Sequence, residues 1–230
     1  MKFGVVIFPG SNCDRDAMNS LREDMGQEVI PLWHKDRDIS MFSTRDCIIL
    51  PGGFSYGDYL RCGALARFSP MMESVAAFAG KGGTVLGICN GFQILCESGL
   101  LPGVLVRNAS QQFVCQNIYI TTRNASVPLT RDLVGKNLRL PIAHGEGRYL
   151  ADPRTIESMT VHDQVLFRYC SDDGQINEEN NPNGSMEQIA GITNRERNVY
   201  GLMPHPERAT STKLGNTDGR LFFLGLIKSQ

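Results

Sequence analysis

Long apolar runs are missing from this chain: no stretch of its 230 residues approaches the roughly 20 that a membrane-spanning helix needs. The apolar run near the N-terminus, residues 5–8, stops at Pro9-Gly10, which fits an opening buried strand and not a signal peptide. Charge of one sign is missing too. Lys+Arg 23 stand against Asp+Glu 24, a formal net charge of −1, and no basic block offers a footprint for nucleic acid or anionic lipid. The seven cysteines are odd in number and include no CxxC pair, which argues against a disulfide framework or a thiolate zinc site. No metal site is expected, and a reducing cytoplasm is the expected location. There the Asn-x-Ser triplets at Asn108, Asn124 and Asn183 carry no meaning. GKGGT, residues 80–84, lacks the spacing of a phosphate loop and reads as a helix stop.

What is present is alternation. Short apolar runs at residues 5–8, 29–33, 47–50 and 84–88 read as strands. Pro31 marks the second as an edge strand or an irregular one. Between them, Ala17, Leu21 and Met25 recur at helical spacing with Gly26 as a stop. A second helix starts with Ser69 as N-cap and Pro70 at its first position, with Val75, Phe78 and Ala79 facing inward. Strand–helix alternation predicts an α/β fold, an open and mostly parallel sheet with helices on both faces. The second half differs: strands at 113–121, 138–142, 165–170, 189–193 and 198–202 predict an antiparallel extension of that sheet. Residues 172–185 read as a polar surface loop, and 221–227 as a final helix packed on the sheet. One domain over residues 1–230 is the expectation.

Cys89 stands out. Residues 83–95, GTVLGICNGFQIL, run from a strand through Gly-x-Cys-x-Gly into a helical pattern, the arrangement of a nucleophile elbow with sulfur in place of oxygen. Gly87 and Gly91 let the two backbones approach, and the helix N-terminus favours a thiolate. The Asn90 N–H would face the oxygen of a tetrahedral intermediate. The alternative is a buried cysteine in a glycine-rich turn. Cys13 lacks flanking glycines and reads as structural; Cys47, Cys62, Cys96, Cys115 and Cys170 read as small core residues.

A thiolate nucleophile needs a base, and the base an orienter. His34, beside Lys35 and Asp36, reads as solvated, and His162 lies in a polar segment. His144 in AHGEGR and His205 in MPHPER each have a glutamate two residues on, Glu146 and Glu207. The prolines around His205 restrict it to an extended conformation, which puts His205 and Glu207 on one side. The glycines of HGEG leave the other pair loose. His205 is therefore the better base, with Glu207 as orienter. Gly52-Gly53, after the strand at 47–50, can turn an N–H into the cleft as a second oxyanion donor.

LPGGFSYGDYLRCGALARFSP, GICNGFQIL, IAHGEGRY, NPNGS and GLMPHPER, with FPGSNCDRD at the start, together resemble the class I (triad) glutamine amidotransferases. Within that class they are similar to the glutaminase subunits of phosphoribosylformylglycinamidine synthases. The resemblance runs in order from Phe8 to about Arg208. It implies that Cys89, His205 and Glu207 form a triad that hydrolyses glutamine through a thioester. It also implies a substrate pocket drawing on Gly52, Gly53, Asn90 and Gln93. Ammonia would pass to a synthetase subunit, with a small third subunit in the assembly. This chain would bind no cofactor, because ATP and Mg are used by the synthetase. AHGEGR would serve the glutamine pocket or the synthetase contact. Two other readings remain: a stand-alone cysteine hydrolase such as a γ-glutamyl hydrolase, and a non-catalytic scaffold on the same fold. The scaffold would be expected to lose the cysteine or the histidine, and both are present.

Overall fold

A computed structural model describes residues 1–228. The chain runs β1 (Lys2–Ile7), α1 (Asp14–Asn19), β2 (Glu28–Trp33), β3 (Cys47–Leu50), α2 (Pro70–Gly80), β4 (Thr84–Ile88) and α3 (Asn90–Glu97). It continues with β5 (Val104–Val106), β6 (Val114–Thr121), α4 (Pro128–Arg131), β7 (Asn137–His144), β8 (Arg148–Leu150) and α5 (Pro153–Val161). The last elements are β9 (Val165–Cys170), β10 (Ile189–Thr193), β11 (Val199–Leu202) and α6 (Asp218–Ile227). Among these residues no helix is long and apolar enough to cross a membrane.

Nine strands form one sheet in the order β2-β1-β3-β4-β11-β10-β9-β6-β7. The first five are parallel, and each step from β11 to β7 is antiparallel. The central strands β3 and β11 are buried at every residue, as a sheet covered on both faces requires. Chain direction across the sheet reverses between β1 and β3, so right-handed crossovers put α1 and α2 on opposite faces. The expected α/β architecture with its antiparallel extension is what the chain adopts. Pro31 lies in β2, which pairs only with β1 and so is an edge where a missing N–H costs nothing.

Several local expectations need correction. The helix after β1 widens into a π turn over Ser20–Asp24. Ser69 occupies the N-cap position of α2, but its Oγ makes no hydrogen bond. Between β6 and β7 lies the single turn α4, and α5 precedes β9; neither was expected. Asp152 caps α5, accepting from the N–H groups of Arg154 and Thr155 at 3.1 Å each. The loop at 172–185 is polar yet not all surface, since Asn183 and Ser185 are buried at its end.

In a parallel sheet the carboxyl ends of the strands share one edge, and ligands gather in the crevice there. Here that edge presents the segments after β1, β3, β4 and β11. The antiparallel end bends back to meet it: the His205 N–H donates to the Pro141 carbonyl of β7 at 2.9 Å.

Candidate active site

β4 ends in the elbow. Cys89 has φ 50° and ψ −104°, outside the regions a side chain prefers, and α3 begins at the next residue. A Cβ at Gly91 would overlap the Leu50 carbonyl of β3, and one at Gly87 would meet the Gly91 carbonyl. Both positions therefore have to be glycine for strand and helix to close around the turn. The Cys89 thiol points towards the Ala143 carbonyl of β7, 3.9 Å from Sγ. Among the described residues the backbone N–H groups of Gly53 and Asn90 donate to no protein acceptor. Gly53 has φ 129°, where glycine is favoured.

After β11 the chain makes a short 3₁₀ turn over Pro206–Arg208, with His205 at its start. His205 Nδ1 lies 2.6 Å from Glu207 Oε1, and both side chains are almost wholly buried. The pair forms as expected, but through a turn and not an extended segment. Burial works against the imidazolium; the Glu207 carboxylate and the Cys89 sulfur outweigh it and raise His205 to about 10. Nε2 makes no hydrogen bond of ordinary geometry, although the sulfur lies close enough to bias the ring's charge. A Cβ at Gly52 would stand 2.7 Å from His205 Cε1 and 3.4 Å from Cys89 Cβ, so Gly52 leaves the room in which imidazole and thiol meet.

Cys13 is not a passive core residue. Its sulfur lies 3.1 Å from Arg208 Nη2, and Arg208 Nε donates to Asp16 at 3.0 Å. Burial, reinforced by Glu207, pushes the Cys13 thiol up to about 12, so it stays neutral and does not compete as a nucleophile. Cys13, His205 and Glu207 each bring a donor atom within 4.8 Å of the others. The Arg208 guanidinium beside the sulfur sets a fixed positive charge against a cation at that point.

Other expectations fail in instructive ways. His34 is buried, not solvated: Tyr56 Oη lies 2.7 Å from its Nδ1, and Trp33 packs edge-on against the ring. Cys115 is exposed and Cys62 only partly buried, so neither is a core residue. His144 and Glu146 do not pair. His144 Nδ1 lies 3.2 Å from Asn108 Oδ1, which also accepts from the Gly147 N–H at 3.0 Å. The HGEG turn is therefore pinned, and the pinning residue, Asn108, carried no signal in the sequence. Burial, with the charge of His205 behind it, lowers His144 to about 4 and keeps it neutral.

In front of Cys89 lies a cleft of about 400 Å³, lined among others by Gly53, Asp58, Cys62, Gln93, His144 and Glu146. Gln93 ties its walls together: Nε2 donates to the Glu146 carbonyl at 2.6 Å, and Oε1 accepts from Asn90 Nδ2 at 2.9 Å. Asn90 Oδ1 in turn accepts from the Ser55 N–H at 3.2 Å. Arg148 turns away, donating to the Gly184 carbonyl at 2.9 Å.

A cysteine on a strained elbow, a buried imidazole–carboxylate pair and two free N–H groups around one cleft make a site for attack on an acyl carbon. The CobB/CobQ-like glutamine amidotransferase domain matches residues 1–218. The chain belongs to that glutamine amidotransferase family. Phosphoribosylformylglycinamidine synthase subunit PurQ of Acaryochloris marina is 53% identical over 230 residues, covering 100% of this chain and 97% of the relative. The protein of the same name from Moorella thermoacetica is 54% identical, covering 99% and 95%. Among solved structures, PurLQS from Thermotoga maritima contains a chain with a TM-score of 0.84 and 41% identity, covering 99% of this chain and 97% of that one. Membership of this family accounts for the elbow.

Proposed function

We propose that this chain is the glutaminase subunit of a phosphoribosylformylglycinamidine synthase. It hydrolyses glutamine to glutamate and ammonia for a synthetase subunit. The observation that carries the reading is the end-to-end match to PurQ proteins at about half identity, in a chain whose Cys89, His205 and Glu207 converge.

The geometry supports the following chemistry. The Cys89 thiolate attacks the side-chain amide carbon of glutamine, and the N–H groups of Gly53 and Asn90 receive the oxyanion. His205, held protonated by Glu207 and the thiolate, gives its proton to the departing nitrogen, so ammonia leaves and a γ-glutamyl thioester remains. His205 then takes a proton from water, whose oxygen attacks the thioester; glutamate departs and the thiolate returns. The ammonia passes to the synthetase subunit, which uses ATP and Mg to convert formylglycinamide ribonucleotide to its amidine. A small third subunit completes the assembly. This chain holds no cofactor and works in the cytoplasm.

The test is peptide mapping after treatment with 6-diazo-5-oxo-norleucine, with the synthetase subunits and their substrates present. One adduct on Cys89, prevented by excess glutamine, is expected. Labelling at another cysteine, or none, would sink the reading. Cys89→Ala should abolish glutamine-dependent synthesis by the complex and leave ammonia-dependent synthesis intact. Loss of both would make Cys89 structural.

A further inference from the structure

The triad and its oxyanion donors handle only the amide end of glutamine; they say nothing of how the amino-acid end is told from any other primary amide. The cleft carries a second cluster that the reaction does not use. Asp58 and Glu146 both line it beside Cys62, whose backbone N–H donates to Glu146 at 3.4 Å. Asp58 Oδ1 is shielded from solvent and has no hydrogen-bond partner. Burial, and the nearby Glu146 charge, raise the Asp58 carboxyl above its usual range. Two carboxylates held together with an unsatisfied oxygen are costly unless a cation completes them.

Two further observations point to a ligand. His144, buried to 3% exposure, lines the same cleft with Nε2 unpartnered. With Nδ1–H given to Asn108, Nε2 is an acceptor, as a cationic donor would want. Arg107, exposed at the cleft, is the one cation among the described lining residues. An anion-accepting arginine, a pair of carboxylates and a nucleophile in one cleft match a zwitterion with a side-chain amide.

We propose that Asp58 and Glu146 bind the α-ammonium group of glutamine and set the enzyme's preference for an amino acid, with Arg107 receiving the α-carboxylate. The assignment rests on the glutaminase reading above. It gives the GGFSYGDY and HGEGR segments one shared purpose. Gln93 links that recognition to the elbow, because it bonds the Glu146 carbonyl and Asn90 at once.

The test compares L-glutamine with glutaramate, the same amide without the amino group, on the chain assembled with its synthetase. Asp58→Asn and Glu146→Gln should each lower kcat/KM for L-glutamine roughly 10- to 100-fold, chiefly through KM, as loss of a charged hydrogen bond implies. Glutaramate should be used as poorly by the variants as by the unaltered complex. Its binding is read independently as protection of Cys89 from iodoacetamide. Ammonia-dependent synthesis in the same samples reports that the complex is folded. An equal loss on both amides, or no loss on either, overturns the assignment. Failure of the unaltered complex to hydrolyse glutamine would overturn the glutaminase reading instead.

Discussion

Cys89 and His205 show two ways of holding a reactive side chain ready. The cysteine is held by backbone: a positive φ in a residue with a Cβ costs of order 1–3 kcal/mol, and the glycines on either side let the surrounding structure impose it. The histidine is held by charge, with Glu207 at 2.6 Å. His205→Ala should cut glutamine turnover by roughly 100-fold or more, read with ammonia-dependent synthesis as the control. His144 is held by neither. It is neutral, and its pKa of about 4 lies below the ordinary 6.5. Between those values the unfolded chain binds a proton that the folded chain does not, so stability falls as pH drops from 6.5 towards 4. The loss amounts to about 3 kcal/mol. His205 has the opposite sign: its contribution is complete below pH 6.5 and is lost as pH rises through about 10. Urea midpoints of the unaltered chain and of His144→Gln at pH 7 and 4.5 test the first claim. The variant should lose less on acidification; parallel losses would mean that His144 does not titrate in this window.

At the scale of elements, glycine decides where α3 can sit. A Cβ at Gly91 would run into a carbonyl of β3, which is backbone and cannot swing aside. Gly91→Ala should destabilise the fold by roughly 3 kcal/mol and displace the elbow. Gly80, in the last turn of α2, has open space around it, and Gly80→Ala should stabilise by roughly 0.5–1 kcal/mol. Equal effects in urea titrations of the two variants would refute this account. The same local logic explains what was legible in the sequence. The first four strands, α2 and the elbow follow from apolar runs bounded by proline and glycine, so their chemistry is short-range. The helix α5 was not legible because its amphipathic pattern is short and opens on Pro153 after Asp152, a cap that also suits a turn. His34 was misread because Lys35 and Asp36 describe its chain neighbours, whereas Tyr56, whose hydroxyl meets its ring, comes from elsewhere in the chain. His205 and Glu207 were legible as a pair through their prolines. The cleft's other wall was not, since Asn108, Arg107 and Asp58 meet it only through tertiary structure.

At the scale of the molecule, the site lies where the parallel and antiparallel parts of the sheet meet. The His205–Glu207 turn is clamped from three sides. β7 accepts from the His205 N–H; α1 holds Arg208 through Asp16; and α6 closes over the turn, the Gly219 N–H donating to the Ala209 carbonyl at 2.7 Å. α6 is in turn fixed to β7, since Asp218 Oδ2 accepts from the Arg139 N–H at 2.8 Å. Neither part of the sheet can therefore open without loosening a bond that the other needs. The two parts carry convenient reporters: Trp33, the one tryptophan, on edge strand β2 of the parallel part, and buried Cys170 on β9 of the antiparallel part. If the parts are interlocked, urea unfolding followed by Trp33 fluorescence and by alkylation of Cys170, read by mass spectrometry, should give one midpoint, and glutaminase activity should vanish with it. Exposure of Cys170 at lower urea, with Trp33 fluorescence unchanged, would mean that the antiparallel part opens alone. The site would then be assembled from two separable units, and the expectation of one domain over residues 1–230 would fail.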